Sequence, residues 1–555
     1  MRLKPSEIFL LLVIYILSVA IRLLPKLAFD PHLLTFDADI WYRLCLAQYV
    51  LDNGHLPVWD IRYASYGQVP FWYNPFAVYF YALMSKISTF DLPTVASRIM
   101  PLVESAAILP FYFLGRYLYS VRVAAVSTVF LALTPAFVYW SSLGTPQSFT
   151  MFCIPLAILL WVTFLQNKFI LNHKYIHFLV FVILLTVNFL THLTYFNLVV
   201  ILLFVHVSLL NEKVGSFKKT GLLAAAVLIS QVLTSWWWLP GNLYWWWTKG
   251  LSTSTASPDR ILLMRHYGSV SAVIGHLAFF FLVYFIFRRK HKKEMFYLLP
   301  VYWAIYPIIE SHMEGMLLLF QKNALMWNNL VRPIEGFRFY SFLAQPLALC
   351  FALMFEQMLK SKFVKIQATQ LNRLCCGVMV ILVLLLGADL YFGYKINDRF
   401  RSHMITLDDV EAAQWIRHNT GEETRVLADY YTAQMVGGIC AGRALQGSMF
   451  PLKGANIPYI SDSWQVLNDI YKVYKSEDPL AVKAVLQRYH VTHVYYSDLV
   501  LRKMEFVVNG YGDMDGYEKG RFDGLKKVDH QKTLLNPDYF QVVYSKNGVK
   551  ILAVK

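Results

Sequence analysis

Charge is scarce in this chain, and acid is scarcer than base. Only 15% of its 555 residues are Asp, Glu, Lys or Arg, while 57% are hydrophobic. A soluble protein of this length carries far more charge on its surface, so that class is excluded. The 51 Lys and Arg exceed the 35 Asp and Glu, a balance that in a soluble domain points to nucleic acid. Here the basic residues stand in short segments between apolar runs, which is how a multispanning membrane protein sets its orientation. No nucleic-acid partner is expected. Cysteine is sparse as well: there are six, none at a metal-ligand spacing. Cys153, Cys350, Cys375 and Cys376 lie inside apolar runs and read as small core side chains rather than a disulfide framework. A cleavage site is also missing. The first apolar run, Ile8 to Leu24, follows Arg2 and Lys4, and Arg22-Leu-Leu-Pro-Lys26 is a poor match to a small-residue cleavage motif. The run is expected to remain as a signal anchor with its N-terminus in the cytoplasm.

What the chain does have is a series of apolar runs approaching the roughly 20 residues that cross about 30 Å of hydrocarbon. Helices are expected near 8–24, 99–119, 123–142, 148–166, 176–190, 193–210, 220–238, 270–288, 295–309, 338–358 and 374–394, within a total of about 11–13 spans. With that count Arg116/Arg122, Lys168/Lys174, Lys213/Lys218/Lys219, Arg288 to Lys293 and Lys360/Lys362/Lys365 all fall in the cytoplasm. The segment 25–98, the turn at 143–147, the loops 239–269 and 310–337, and everything after 395 fall outside. This assignment requires that Phe71 to Met84, with Pro70 and Pro75, lie at the interface without crossing.

Residues 1–394 therefore read as a transmembrane domain and 395–555 as an extracytoplasmic soluble domain. In the latter, Leu407 to Asn419 has apolar residues at helical spacing, with Thr406 or Asp408 as N-cap. Strands are expected at Arg425 to Ala428 and Thr492 to Tyr496, and a second helix at Pro479 to Tyr489. Asn547-Gly548 between two apolar runs predicts a hairpin with a type I′ turn. Mixed helix and strand signals make this an α/β domain. The fold class is thus a polytopic α-helical membrane protein with a C-terminal extracytoplasmic α/β domain.

Carboxylates, arginines and aromatics gather on the outer side. The first outer loop offers Asp37, Asp39 and Asp60 among Trp41, Tyr42, Trp59 and Tyr63; a later one offers Arg332, Glu335 and Arg338; His192 lies at the outer end between two spans. An Asp in such a place can act as general base or hold a divalent cation, while Arg clamps a phosphate. Bland readings stand beside these: Arg332 and Arg338 can snorkel or pair with Glu335, and His192 can be a structural hydrogen-bonder.

Phe36-Asp-Ala-Asp39-Ile-Trp-Tyr-Arg43, followed by Tyr49 to Gly54 and Trp59-Asp60, resembles the first external loop of oligosaccharyltransferase catalytic subunits, which are GT-C-type glycosyltransferases using lipid-linked sugar donors. By that resemblance Asp39 falls on the metal-binding and catalytic Asp, and Arg338 in Glu335-Gly-Phe-Arg338 on the Arg that meets the donor phosphate. Gly442-Arg443 resembles part of the family's soluble domain. The departures are specific. The turn Ser142-Leu-Gly-Thr-Pro-Gln147 has no carboxylate where the family carries an Asp-x-Glu-type metal motif. Asp429-Tyr-Tyr431 stands where a W-W-D-Y-G peptide-reading motif would fall. A related group of prokaryotic membrane proteins, named as related to 6-pyruvoyl-tetrahydropterin synthase, shares the layout; no zinc-ligand histidine cluster supports pterin chemistry here.

The expectation is an integral membrane glycosyltransferase of GT-C type. It moves a sugar or oligosaccharide from a polyprenyl-phosphate-linked donor to a glycan or protein acceptor on the outer face. Asp39 is expected as general base or metal ligand, Asp37 and Asp60 in support, and Arg338, Arg332 and His192 at the donor phosphate. A Mg or Mn ion at Asp39 is the cofactor this implies. Two other classes fit the composition: a non-catalytic lipid-linked-sugar flippase or assembly component, and a transporter.

Overall fold

The structure is a computed structural model. It describes residues 3–29, 33–35, 39–58, 74–142, 144, 146–168, 173–192, 195–210, 217–249, 269–288, 298–305, 307–308, 339–359, 368–396, 405–440, 443–445, 466, 469–497 and 532–555.

Helix α1 (Pro5–Phe29) is followed by a short strand, β1 (Leu33–Thr35), and by helices α2 (Asp39–Asn53) and α3 (Pro75–Ser88). Helix α4 (Leu92–Leu118) opens with Asp91 accepting from the Thr94 amide and contains a π turn at Val95–Ile99. Then come α5 (Val121–Leu133) and α6 (Pro135–Ser142). They form the expected single run broken in two, because a residue before proline avoids the helical region: Thr134 is extended at ψ 118°. Helices α7 (Pro146–Leu165), α8 (Lys174–Thr191), α9 (Tyr195–Leu210), α10 (Phe217–Lys249), α11 (Ser269–Arg288), α12 (Phe339–Leu359) and α13 (Ala368–Ile396) complete the bundle. Six described helices have the length and hydropathy to cross a membrane, and four shorter apolar ones accompany them. All coincide with expected runs, and helical residues 298–305 and 307–308 fall in the remaining one. The chain is a multi-pass membrane protein. Helix α10 is a correction in extent: it continues through the tryptophan clusters to Lys249 rather than ending near 238.

The ends of the bundle can be told apart. Glu7, in the first turn of α1, pairs with Arg116 at 2.9 Å, near the last turn of α4. At the opposite end, β1 pairs antiparallel with β2 (Ile405–Thr406), the first element of the C-terminal part. The stretch around Asp39 is thereby on the same side as that domain.

The C-terminal part runs through α14 (Leu407–Asn419), β3 (Val426–Leu427), α15 (Tyr430–Ile439), β4 (Ala444–Leu445), α16 (Pro479–Arg488), β5 (His493–Ser497), β6 (Phe540–Lys546) and β7 (Val549–Val554). One sheet has the order β4-β3-β5-β7-β6, parallel at β4/β3/β5 and antiparallel at β5/β7/β6. Helix α14 begins with a complete capping box, Thr406 and Asp409 each bonding the other's backbone N–H. The hairpin closes at Asn547 (φ 46°) and Gly548 (φ 82°), as a type I′ turn requires.

Among the described residues two large hydrophobic cores form, beside a small cluster of Leu11, Tyr112 and Ala124. The larger fills the bundle, around Phe130, Trp161, Trp303 and Phe351. The second unites α2, α3 and the start of α4 with the C-terminal sheet and helices, through Trp41, Val78, Tyr81, Val410, Val436 and Val494. Helix α3, 14 residues long, measures about 21 Å, less than a bilayer core. Its buried face belongs to the C-terminal core.

Candidate active site

The site is built where loops between spans meet the second core. Asp39 is the first residue of α2, whose following residues Ile40, Trp41, Tyr42 and Arg43 are all buried. Helix α2 packs on α3 on one side and on α15 on the other. The second contact is close because Gly438 in α15 has no side chain: a Cβ there would overlap the Cys45 thiol and sit 2.9 Å from the Cys45 Cβ. Cys45 donates to the Trp41 carbonyl at 2.6 Å, and burial raises its pKa.

Directly against the start of α2 lies the turn between α6 and α7. Gly144 has φ +63°, and a Cβ on it would strike the Ile40 side chain and come within 2.5 Å of the Tyr81 hydroxyl. Only glycine adopts this backbone at this distance without strain. Tyr81, from α3, donates to the Gly144 carbonyl at 3.0 Å. Three residues on, Gln147 lies in the first turn of α7, only 1% exposed, and its side-chain Nε2 has no hydrogen-bond partner. Three residues before the turn's glycine, Ser141 accepts from Arg22 Nε at 3.1 Å and Nη2 at 2.5 Å. Arg22 also donates to Ser18 Oγ at 2.6 Å and lies over the Phe137 ring. This guanidinium is fully buried, so a fixed positive charge stands beneath the turn.

The end of α8 reaches the same place. His192 is its half-buried C-cap, bonding the Asn188 carbonyl through its backbone N–H at 3.1 Å. Asn74, the N-cap of α3, donates to the Phe189 carbonyl at 3.3 Å. One end of the bundle therefore collects the heads of α2, α3 and α7, the tail of α8 and the Arg22–Ser141 pair. Of the expected site residues, Asp39 and His192 are brought to this end, with the backbone alone described for Asp39. Asp37, Asp60, Arg332 and Arg338 lie outside the described residues. Arg22 and Gln147 were not among the expected site residues. The signals were an arginine in an apolar run one helical turn after Ser18, and an amide directly after the helix-starting Pro146.

In the C-terminal part, Asp429 caps α15, accepting from the Thr432 amide at 3.2 Å. It faces a buried polar group in which Tyr474 donates to the Tyr495 carbonyl and Tyr495 donates to Asp409. Burial, and then the neighbouring carboxylates, hold both phenols well above their ordinary pKa. Arg443 donates to the Thr420 carbonyl at 3.1 Å, tying the start of β4 to the end of α14. These bonds account for the buried carboxylate of Asp409 as a structural group.

No protein-family model matches the chain, and no curated protein matches it in sequence. Solved structures do. The archaeal oligosaccharyltransferase AglB from Archaeoglobus fulgidus, in complex with an inhibitory peptide and a dolichol-phosphate, superposes with a TM-score of 0.56 at 14% identity, covering 100% of this chain and 74% of that one. The Archaeoglobus fulgidus oligosaccharyltransferase in complex with Zn and sulfate gives 0.56 at 15%, over 98% and 73%. ArnT from Cupriavidus metallidurans, bound to undecaprenyl phosphate, gives 0.52 at 11%, over 99% and 97%. The chain has the GT-C fold. At these identities the likeness is one of architecture, shared with an oligosaccharyltransferase and with ArnT alike. It does not extend to particular residues.

The divalent cation implied by the oligosaccharyltransferase resemblance can be tested on the donor set. Among the described residues no three His, Cys, Asp or Glu side chains stand together to hold a metal. The carboxylates that would hold it are not among those side chains: Asp37 and Asp60 lie outside the described residues, and Asp39 is described by its backbone alone.

Proposed function

We propose that this protein is a membrane glycosyltransferase that takes a sugar or oligosaccharide from a polyprenyl-phosphate-linked donor. The observation that carries the reading is the convergence at one end of a GT-C bundle. There the helix opened by Asp39 is held between the Gly144 turn and α15 of the C-terminal part.

In this reading the Asp39 carboxylate accepts the proton of the acceptor's nucleophilic O–H or N–H as that atom bonds to the anomeric carbon. The bond between anomeric carbon and phosphate oxygen breaks, and the polyprenyl phosphate leaves with the electron pair. Asp37 and Asp60 support Asp39; Arg338 and Arg332 neutralise the leaving phosphate, and His192 hydrogen-bonds it. No step is routed through a metal. Residues 395–555 form the domain that meets the acceptor, a glycan or protein, on the extracytoplasmic side. The basic ends of α4, α7 and α8 face the cytoplasm by the positive-inside rule. The neighbours' own ligands, dolichol-phosphate for AglB and undecaprenyl phosphate for ArnT, support the donor class.

The test uses full-length protein in lipid with a panel of polyprenyl-linked sugars, following donor consumption. Consumption of one donor supports the reading and identifies it. Saturable binding of donors without consumption favours the second reading, a lipid-linked-sugar carrier or assembly component. The carboxylate-free turn is the observation that favours that alternative.

A further inference from the structure

A buried amide N–H without a partner calls for an explanation. Gln147 is 1% exposed, and its Nε2 has no hydrogen-bond partner. Native interiors satisfy such groups almost without exception, because an unpaired buried donor forfeits its bonds to water. Its place in the fold narrows what it awaits. Gln147 follows Pro146 at the head of α7, a 20-residue helix. The first N–H groups of a helix lack intrahelical partners and carry the positive end of its dipole. The Gly144 turn just before it abuts Ile40, so the head of α2 is adjacent. The buried Arg22 guanidinium, anchored on Ser141, adds a fixed positive charge to the same corner. The head of α7, an unpaired amide N–H and a buried guanidinium thus supply donors and positive charge beside the helix head where Asp39 stands. Such a corner fits an anion.

We infer that Gln147 donates a hydrogen bond to the phosphate of the polyprenyl donor, in a subsite made of N–H groups rather than of a carboxylate-bound cation. This rests on the reading of the protein as a user of polyprenyl-phosphate-linked sugars and names how that headgroup is held. A carboxylate at residue 147 would serve a cation and repel a phosphate; an amide serves the phosphate directly. The phosphate is thereby bound without a divalent ion, and the arginines and helix heads supply the charge that an ion would bring.

The experiment measures binding of undecaprenyl phosphate, which carries no sugar, to the full chain in lipid nanodiscs with chelator present. Wild type, Gln147→Met and Gln147→Glu are compared, with thermal unfolding recorded for each. Wild type binds in chelator. Gln147→Met weakens binding about tenfold, the value of one such hydrogen bond, while its unfolding temperature stays the same or rises. Gln147→Glu binds more weakly still and is not restored by Mg or Mn. The inference is overturned by absent or cation-dependent binding in wild type. It is equally overturned by wild-type affinity in Gln147→Met, by a lower unfolding temperature or failure to fold in that variant, or by rescue of Gln147→Glu with a divalent ion. No turnover enters this measurement, so it succeeds or fails separately from the glycosyltransferase reading, which stands on donor consumption.

Discussion

At the scale of single residues, two glycines set the geometry around Asp39. Gly144 combines a positive φ with contact to Ile40 and the Tyr81 hydroxyl. Gly144→Ala must displace the turn from α2 or strain its backbone, at a cost of about 1–3 kcal/mol. The expected outcome is a lower unfolding temperature together with a fall in turnover of the order of tenfold, since the helix head moves with the turn. Gly438 is the counterpart on the other face of α2. Gly438→Ala collides with Cys45, and trimming the thiol with Cys45→Ala in the same protein should recover part of the lost stability. No recovery, read by thermal unfolding of both variants, would show that α15 does not press on α2 through this contact. A wrong residue at either glycine is felt at a distance because interiors are close-packed. Neither role was legible in the sequence: Gly144 was noted as part of the turn, but nothing local says which side chain a glycine must admit.

At the scale of elements, local chemistry was the most readable layer. The capping residue Thr406, the helix Leu407–Asn419 and the Asn547-Gly548 hairpin appear where their own side chains place them. Thr406→Ala removes a capping box and should cost about 1 kcal/mol, measurable as a lower unfolding midpoint of the C-terminal part. Strand β5 offers a pH test. His493 is half-buried, and burial lowers its pKa below the ordinary 6.5. Its protonated form is therefore favoured by unfolding, so stability is fully present above pH 6.5 and declines as pH falls through 6.5 toward the folded value. His493→Gln should flatten the difference in unfolding temperature between pH 7.5 and 5.5; an unchanged slope would assign the effect elsewhere. What sequence reading could not supply was partnership. That α3 would stay out of the bundle was required by the charge pattern, but that it would join the C-terminal core depended on contacts between segments more than 300 residues apart, such as those of Val78 and Val494.

At the scale of the whole molecule, the span pattern was legible because hydrocarbon thickness imposes a length and lipid tolerates no unpaired backbone. The β1–β2 pairing fixes the C-terminal part to the α2 side of the bundle, and the proposed orientation, with that side outside, rests on the positive-inside rule. A cysteine introduced at exposed Glu422 should react with a membrane-impermeant maleimide in intact cells, above the background of the native chain. One at exposed Lys168 should react only after the membrane is opened. The reverse pattern would invert the orientation. The candidate site was half legible: the motif around Asp39 singled out the head of α2, while Arg22 and Gln147 take their meaning from the turn that brings them together.

The central claim is that Asp39 performs chemistry on a lipid-linked sugar. It is tested most directly by quantifying polyprenyl phosphate released from a consumed donor by wild type, Asp39→Asn and Asp39→Glu, each in lipid and each shown to be folded. The account predicts release by wild type, loss of at least about a hundredfold in Asp39→Asn, as expected when a general base is removed, and partial activity in Asp39→Glu. Equal release by wild type and Asp39→Asn would contradict it.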